Sequence, residues 1–90
     1  MGYQVKEVYP TPNPNAVKYI LDRQITETPT SFFEAESAKD HLLASRLFGV
    51  VGVSSVFMLN DFVTINKSSE ARWADITPKV KKVLSRFESV

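Results

Sequence analysis

From Ala16 to Leu21 the chain alternates: Val17, Tyr19 and Leu21 fall on one side of an extended backbone, Lys18 and Ile20 on the other. That is the pattern of a strand covered on one face. Phe62–Lys67 repeats it, setting Val63 and Ile65 against Phe62, Thr64 and Asn66. With Val53–Leu59 it predicts a hairpin turning at Asn60-Asp61. Tyr3–Tyr9, carrying aromatic and β-branched side chains, predicts a further strand antiparallel to Ala16–Leu21. Between these two, Pro10, Pro12 and Pro14 each lack an N–H and fix φ. They push Tyr9, Thr11 and Asn13 toward extended conformations, so the connection is a stiff, irregular loop.

Elsewhere the period lengthens to that of a helix. Ser37 is placed as an N-cap with Asp40 at N3, predicting a helix from about Ala38 to Phe48. Leu42, Leu43, Leu47 and Phe48 share its apolar face, and Gly49 suits a left-handed C′ position. From Ser69 onward Trp73, Ile76, Val80, Val83, Leu84 and Phe87 fall within an arc of roughly 100° at ~100° per residue. Pro78 interrupts this run, yet Trp73 and Ile76 stay in phase with the later residues, which predicts one kinked helix. Asp22–Glu36 is polar and reads as a loop that returns Phe32 and Phe33 to the core. The order ββαββα predicts an α+β fold: a four-stranded, largely antiparallel sheet with two helices packed on one face. The other sheet face is left partly open. Ninety residues suffice for one domain, 1–90.

Composition narrows the chemistry. A hydrophobic share of 43% with 23% charged residues is that of a folded soluble domain, and a net charge of +1 gives no general pull toward nucleic acid or an anionic membrane. No run approaches the ~18 apolar residues of a membrane span. The opening MGYQVKEVYP lacks an apolar region after a basic start, so no secretory leader is expected and the cytoplasm is the default location. The absence of cysteine excludes thiolate nucleophiles, zinc fingers and cysteine-ligated iron–sulfur clusters within a single chain. His41 is the one histidine, and a lone histidine on a helix serves more often as a packed or solvated side chain than as a ligand. Glu34, Asp61, Glu70 and Asp75 match no calcium-loop spacing, and no phosphate-binding glycine loop or nucleophile elbow is present. No catalytic, cofactor-binding or metal-ligating residue is therefore assigned, and the chain is expected not to be an enzyme.

Three features remain. Thr11-Pro-Asn-Pro-Asn15 is either a well-specified turn or a preorganised polar loop offering Asn13 and Asn15, with Lys18 nearby, to a partner. Phe57 and Phe62 flank the hairpin turn at Asp61, and Trp73 opens the last helix; these aromatic residues are core, or else an apolar contact patch if their face is exposed. Arg72, Lys79, Lys82 and Arg86 form a basic stripe beside the apolar arc, which reads first as a solvated face; as a nucleic-acid footprint it is weak, and an acidic protein partner suits it as well as a phosphate backbone.

Three blocks of the chain resemble the N-terminal domain of the Nfu/NifU-like iron–sulfur cluster scaffold proteins. TPNPNAVKY (Thr11–Tyr19) is similar to the family's Thr-Pro-Asn-Pro-Asn-Ala-Leu-Lys-Phe signature, with exchanges at Val17 and Tyr19. LFGVVGVSSVFMLNDFVTINK (Leu47–Lys67) is similar to its Leu-Phe-x-Ile-x-Gly-Val-x-x-Val-Phe…Asp-Phe-Ile-Thr-Val block, and Trp73-Ala-Asp-Ile-Thr-Pro78 to its Trp-x-x-Leu-x-Pro. Three blocks in order and suitably spaced are far more specific than any one alone.

The resemblance implies iron–sulfur cluster assembly or delivery, with iron binding attached to the family. In full-length members the cluster belongs to a C-terminal domain with a Cys-x-x-Cys motif; this sequence lacks that motif and is similar to the bacterial versions made of the N-terminal domain alone. The expectation is a non-catalytic accessory module with no cofactor bound by this chain alone. It would bind a cysteine-bearing scaffold or recipient protein, and neither nucleic acid nor membrane, as a monomer or weak homo-oligomer. Asn13, Asn15, Lys18, Phe57, Asp61, Phe62 and Trp73 are the candidate contacts. The alternative is a small regulatory domain, unrelated to iron–sulfur chemistry, that takes a peptide or anionic ligand through Lys18 and the basic stripe.

Overall fold

The strand-forming segments assemble into a single five-stranded sheet in the computed structural model, which describes residues 2–87. The strands are β1 (Val5–Pro10), β2 (Ala16–Leu21), β3 (Thr26–Phe32), β4 (Val53–Asn60) and β5 (Phe62–Lys67), and the helices are α1 (Leu42–Phe48) and α2 (Trp73–Arg86). In space the strands run β1-β2-β5-β4-β3, every neighbouring pair antiparallel.

The fifth strand corrects the sequence expectation of four. β3 was expected to be loop because its residues are polar and exposed with no period-2 pattern, and because Pro29 stands inside it. As an edge strand it needs backbone partners on one side only, and β4 supplies them from Phe32 opposite Val56 back to Thr26 opposite Asn60. The register shifts between Thr26 and Thr30, where Pro29 is accommodated at the cost of regular pairing. Phe32 packs against the core as expected; Phe33 does not, and is 79% exposed.

The alternation in β2 and β5 decides the layers. Val17, Tyr19 and Leu21 from β2, Val63 and Ile65 from β5, and Val56 and Met58 from β4 are buried together against Leu43, Ala44 and Leu47 of α1 and Ile76, Val80 and Leu84 of α2. Both helices thus cover one face. At its edge Tyr3 donates its backbone N–H to the Leu84 carbonyl at 2.7 Å and stacks on Phe87 with ring centroids 6.3 Å apart.

The first helix begins later than predicted. Glu36–Ala38 forms a 3-10 turn, Ser37 donates to the Glu34 carbonyl rather than capping, and His41 is the N-cap of α1, its Nδ1 accepting from the Ala44 N–H at 3.2 Å. The imidazole also meets the Phe32 ring edge-on at 5.4 Å, an anchor unavailable to Ser37. Leu42 is 54% exposed, so the apolar face of α1 is carried by Leu43, Ala44 and Leu47. Gly49 is right-handed (φ −68°), correcting the C′ expectation; Gly52 is the glycine with positive φ, at 101°. The second helix is continuous from Trp73 through Pro78 to Arg86.

Candidate functional site

Three surfaces meet the conditions for recognition, and the candidate residues divide between two of them. The first is the sheet face away from the helices. Side chains alternate across a strand, so Lys18 and Ile20 of β2, Phe62 and Thr64 of β5, and Phe57 and Leu59 of β4 point opposite to the buried set. The register places Ile20 beside Phe62 and Phe62 beside Leu59. The Phe57 and Phe62 rings lie 6.0 Å apart, and the Lys18 ammonium stands 4.1 Å above the Phe62 ring. A cation so placed is held by the ring quadrupole and keeps its remaining donors toward solvent. Tyr9, opposite Lys18 on β1, continues this face; its hydroxyl donates to Glu7, which raises the phenol pKa because ionisation would break that bond and face a carboxylate.

The second surface is the Pro/Asn loop, and here the geometry favours the turn reading. Thr11 Oγ1 donates toward the carbonyls of Asn13 (2.9 Å) and Ala16 (3.0 Å), and Asn13 Oδ1 accepts from the Asn15 N–H at 2.9 Å. Asn15 Oδ1 accepts from Lys67 Nζ at 3.0 Å, while the Lys67 ammonium lies 5.9 Å from the Trp73 ring. Trp73 in turn donates its indole N–H to the Pro14 carbonyl at 3.0 Å. The acceptor oxygens of Asn13 and Asn15 and the Trp73 donor therefore each have a partner inside the molecule. Lys67 is the member of this cluster that sequence reasoning missed; its place opposite the loop follows from the pairing of β2 with β5, which no local pattern reveals.

Asp61 is exposed at the hairpin turn. Asn60 beside it takes a positive φ of 51°, a conformation asparagine tolerates, and the two turn carbonyls accept the N–H groups of Ile25 (2.6 Å) and Leu21 (2.7 Å). Asn13, Asn15 and Trp73 thus sit at one end of the β2–β5 pair and Phe57, Phe62 and Asp61 toward the other. Four residues of strand, about 13 Å, separate Phe62 from the loop end. The third surface is the helical layer, which carries the basic stripe. It lies across the sheet from Lys18, so the structure does not bring together the two parts of the anionic-ligand alternative.

Residues 5–89 match the family described as "Scaffold protein Nfu/NifU N terminal". The chain belongs to that family. It is 34% identical over 87 residues to the human protein "NFU1 iron-sulfur cluster scaffold homolog, mitochondrial", a match covering 94% of this chain and 34% of the relative. It is also 34% identical over 77 residues to a NifU-like protein of Schizosaccharomyces pombe, covering 82% and 30%. The chain spans about a third of the length of these curated relatives. Among solved structures, a NifU-like protein from Saccharomyces cerevisiae superposes with a TM-score of 0.80 at 26% identity, covering 92% of this chain and 77% of that one. Protein SAV1430 from Staphylococcus aureus gives 0.77 at 26% identity, covering 89% and 96%.

The donor set of this Nfu-type domain does not fit the iron–sulfur cluster in the human relative's name. A cysteine-ligated cluster needs thiolates and the 90 residues hold none, while His41, the one imidazole, spends Nδ1 as the cap of α1. Among the described residues no three histidine, aspartate or glutamate side chains converge. What this Nfu-type domain offers instead is a shaped, half-apolar sheet face. No helix among the described residues is long and apolar enough to cross a membrane.

Proposed function

We propose that this domain is a non-catalytic recognition module in iron–sulfur cluster assembly or delivery. It acts in the cytoplasm and docks a cysteine-bearing scaffold or recipient protein on the open face of its sheet. The family and its relatives' names support the pathway. The observation that carries the docking mode is the run of Lys18, Phe62 and Phe57, extended by Ile20 and Leu59, on the face that neither helix covers. Adjacent aromatic side chains with one poised cation are the composition of an interface centre, and burying them gains more than burying a polar loop already bonded to itself. The partner supplies the thiolates; this domain supplies orientation.

The test is affinity capture from cytosol with wild type, a Lys18→Glu/Phe57→Ser variant and an Asn13→Ala/Asn15→Ala variant, each first shown to be folded by circular dichroism. Recovery of cluster-assembly proteins by wild type and the loop variant but not the sheet variant is expected. Loss with the loop variant alone would move the contact to the loop, and recovery of no cluster-assembly protein by wild type would overturn the reading. Reconstitution of the isolated domain with iron and sulfide is expected to leave it colourless; a stoichiometric cluster would refute the division of labour.

A further inference from the structure

On the helical side, away from the proposed docking face, a groove of about 460 Å³ runs between the exit of α1 and the flank of α2. Four cations line it: Arg46 from α1, and Lys79, Lys82 and Arg86 from α2 at a spacing that repeats along one flank. Its apolar lining is Val50, Val51 and Val83. Among the described residues no carboxylate lines the groove and none of the four cations forms an ion pair, the two ion pairs there being Lys39–Glu36 and Arg72–Asp75. Arg46 is steadied over the Phe87 ring at 5.6 Å.

Arg46 and Arg86 have an ordinary explanation, since cations in the last turn of a helix offset its free carbonyls. Lys79 stands one turn after Asp75, which with Glu70 lines the neighbouring hollow that Lys79 and Val51 share, but Lys82 has neither a helix end nor a carboxylate one turn away. Nor does helix electrostatics explain Val51, which is 84% exposed at the groove while its neighbour Val50 is buried. In a domain of net charge +1 this is a local concentration of positive charge around the accessible Val51 and Val83. Like charges crowded on one rim repel, and an anionic occupant relieves that repulsion while covering the valines.

We propose that this groove binds an acidic segment of a partner protein, its carboxylates facing Arg46, Lys79, Lys82 and Arg86 and one branched apolar side chain resting on Val51 and Val83. A nucleic acid fits less well because, among the described residues, no exposed aromatic ring lines the groove for base stacking. A membrane fits less well because the feature is concave, whereas insertion into lipid calls for a protruding apolar face. This surface is distinct from the open sheet face, so either proposal can fail without the other.

The experiment is selection of a displayed library of random 12-residue peptides on the immobilised domain, followed by affinity measurement of synthetic winners at 50 and 500 mM salt. The selected peptides are expected to be rich in aspartate and glutamate around an apolar residue. Their affinity is expected to fall about tenfold in high salt and at least as far in an Arg46→Glu/Lys82→Glu variant. Val51→Ser, a substitution at an exposed site, is expected to weaken binding severalfold with the fold intact, and amide NMR shifts from an acidic winner to fall on residues 46–51 and 79–86. Failure to enrich acidic peptides, equal affinity for the charge-reversed variant, or shifts confined to the sheet face would overturn the proposal. So would capture of the domain by phosphatidylserine vesicles in the absence of any selected acidic peptide.

Discussion

The Trp73 indole N–H donates to the Pro14 carbonyl at 3.0 Å across 59 residues of sequence. This one bond fastens the first residue of α2 to the loop between β1 and β2, and Lys67 reinforces it by bonding Asn15 Oδ1 beside the same ring. The loop is thereby held to the helix and to β5.

Trp73→Phe is therefore expected to cost about 1 kcal/mol, the worth of one hydrogen bond whose acceptor regains water, plus a smaller packing loss. Urea unfolding followed by far-ultraviolet circular dichroism measures it. An unchanged midpoint would show that the bond contributes nothing.

Asn13→Ala removes the oxygen that accepts from the Asn15 N–H. A loss of about 1 kcal/mol in stability is expected with partner binding preserved. Stability and affinity measured on the same sample separate the two, and a selective loss of affinity would return Asn13 to the interface.

Tyr19 spans the two layers, its hydroxyl 2.9 Å from Thr77 Oγ1. Its pKa is raised from 10.0, chiefly because burial disfavours the phenolate, with the Thr77 hydrogen bond pulling the other way. A folded-state pKa above the unfolded one means that the contribution of the neutral phenol is complete below pH 10. It is lost as pH rises from there through the folded value, where the unfolded chain gives up its proton first. Stability is expected to decline above pH 10, and more gently in Tyr19→Phe, which also costs about 1 kcal/mol at neutral pH. Urea midpoints between pH 8 and pH 11 test both; parallel declines would assign the effect elsewhere.

Gly52 has φ of 101°, and a Cβ there would come within 2.8 Å of the Ala71 Cβ and 3.1 Å of Ile76 Cδ1. Gly52→Ala is expected to destabilise by about 1–3 kcal/mol, since strain and crowding act together at the entrance to β4. Gly49→Ala, in a right-handed conformation, is the comparison, and thermal midpoints should rank the two clearly.

His41→Ala removes the cap on the Ala44 N–H and the edge contact with Phe32. The expected cost is about 1 kcal/mol. His41→Asn, which restores a capping oxygen without the ring, should recover part of it.

The sequence by itself determined β2, β5, the hairpin that joins β4 to β5, and the long last helix. In each, a buried face repeats at a period the chain must obey, and the residues that set it are local. It also determined the chemistry that is missing, because a chain without cysteine cannot ligate a cluster by thiolate. Tertiary structure decided the rest. β3 exists because β4 offers it backbone partners, a reward invisible in its own polar residues. His41, not Ser37, caps α1, and its ring rests against Phe32 from the far edge of the sheet. Asn13, Asn15 and Trp73 became parts of a brace, and Lys18, Phe57 and Phe62 parts of an open face. The reason lies in which atoms found partners across long stretches of chain: a side chain already bonded within the fold has little left to offer another molecule, and that is settled only when distant segments meet.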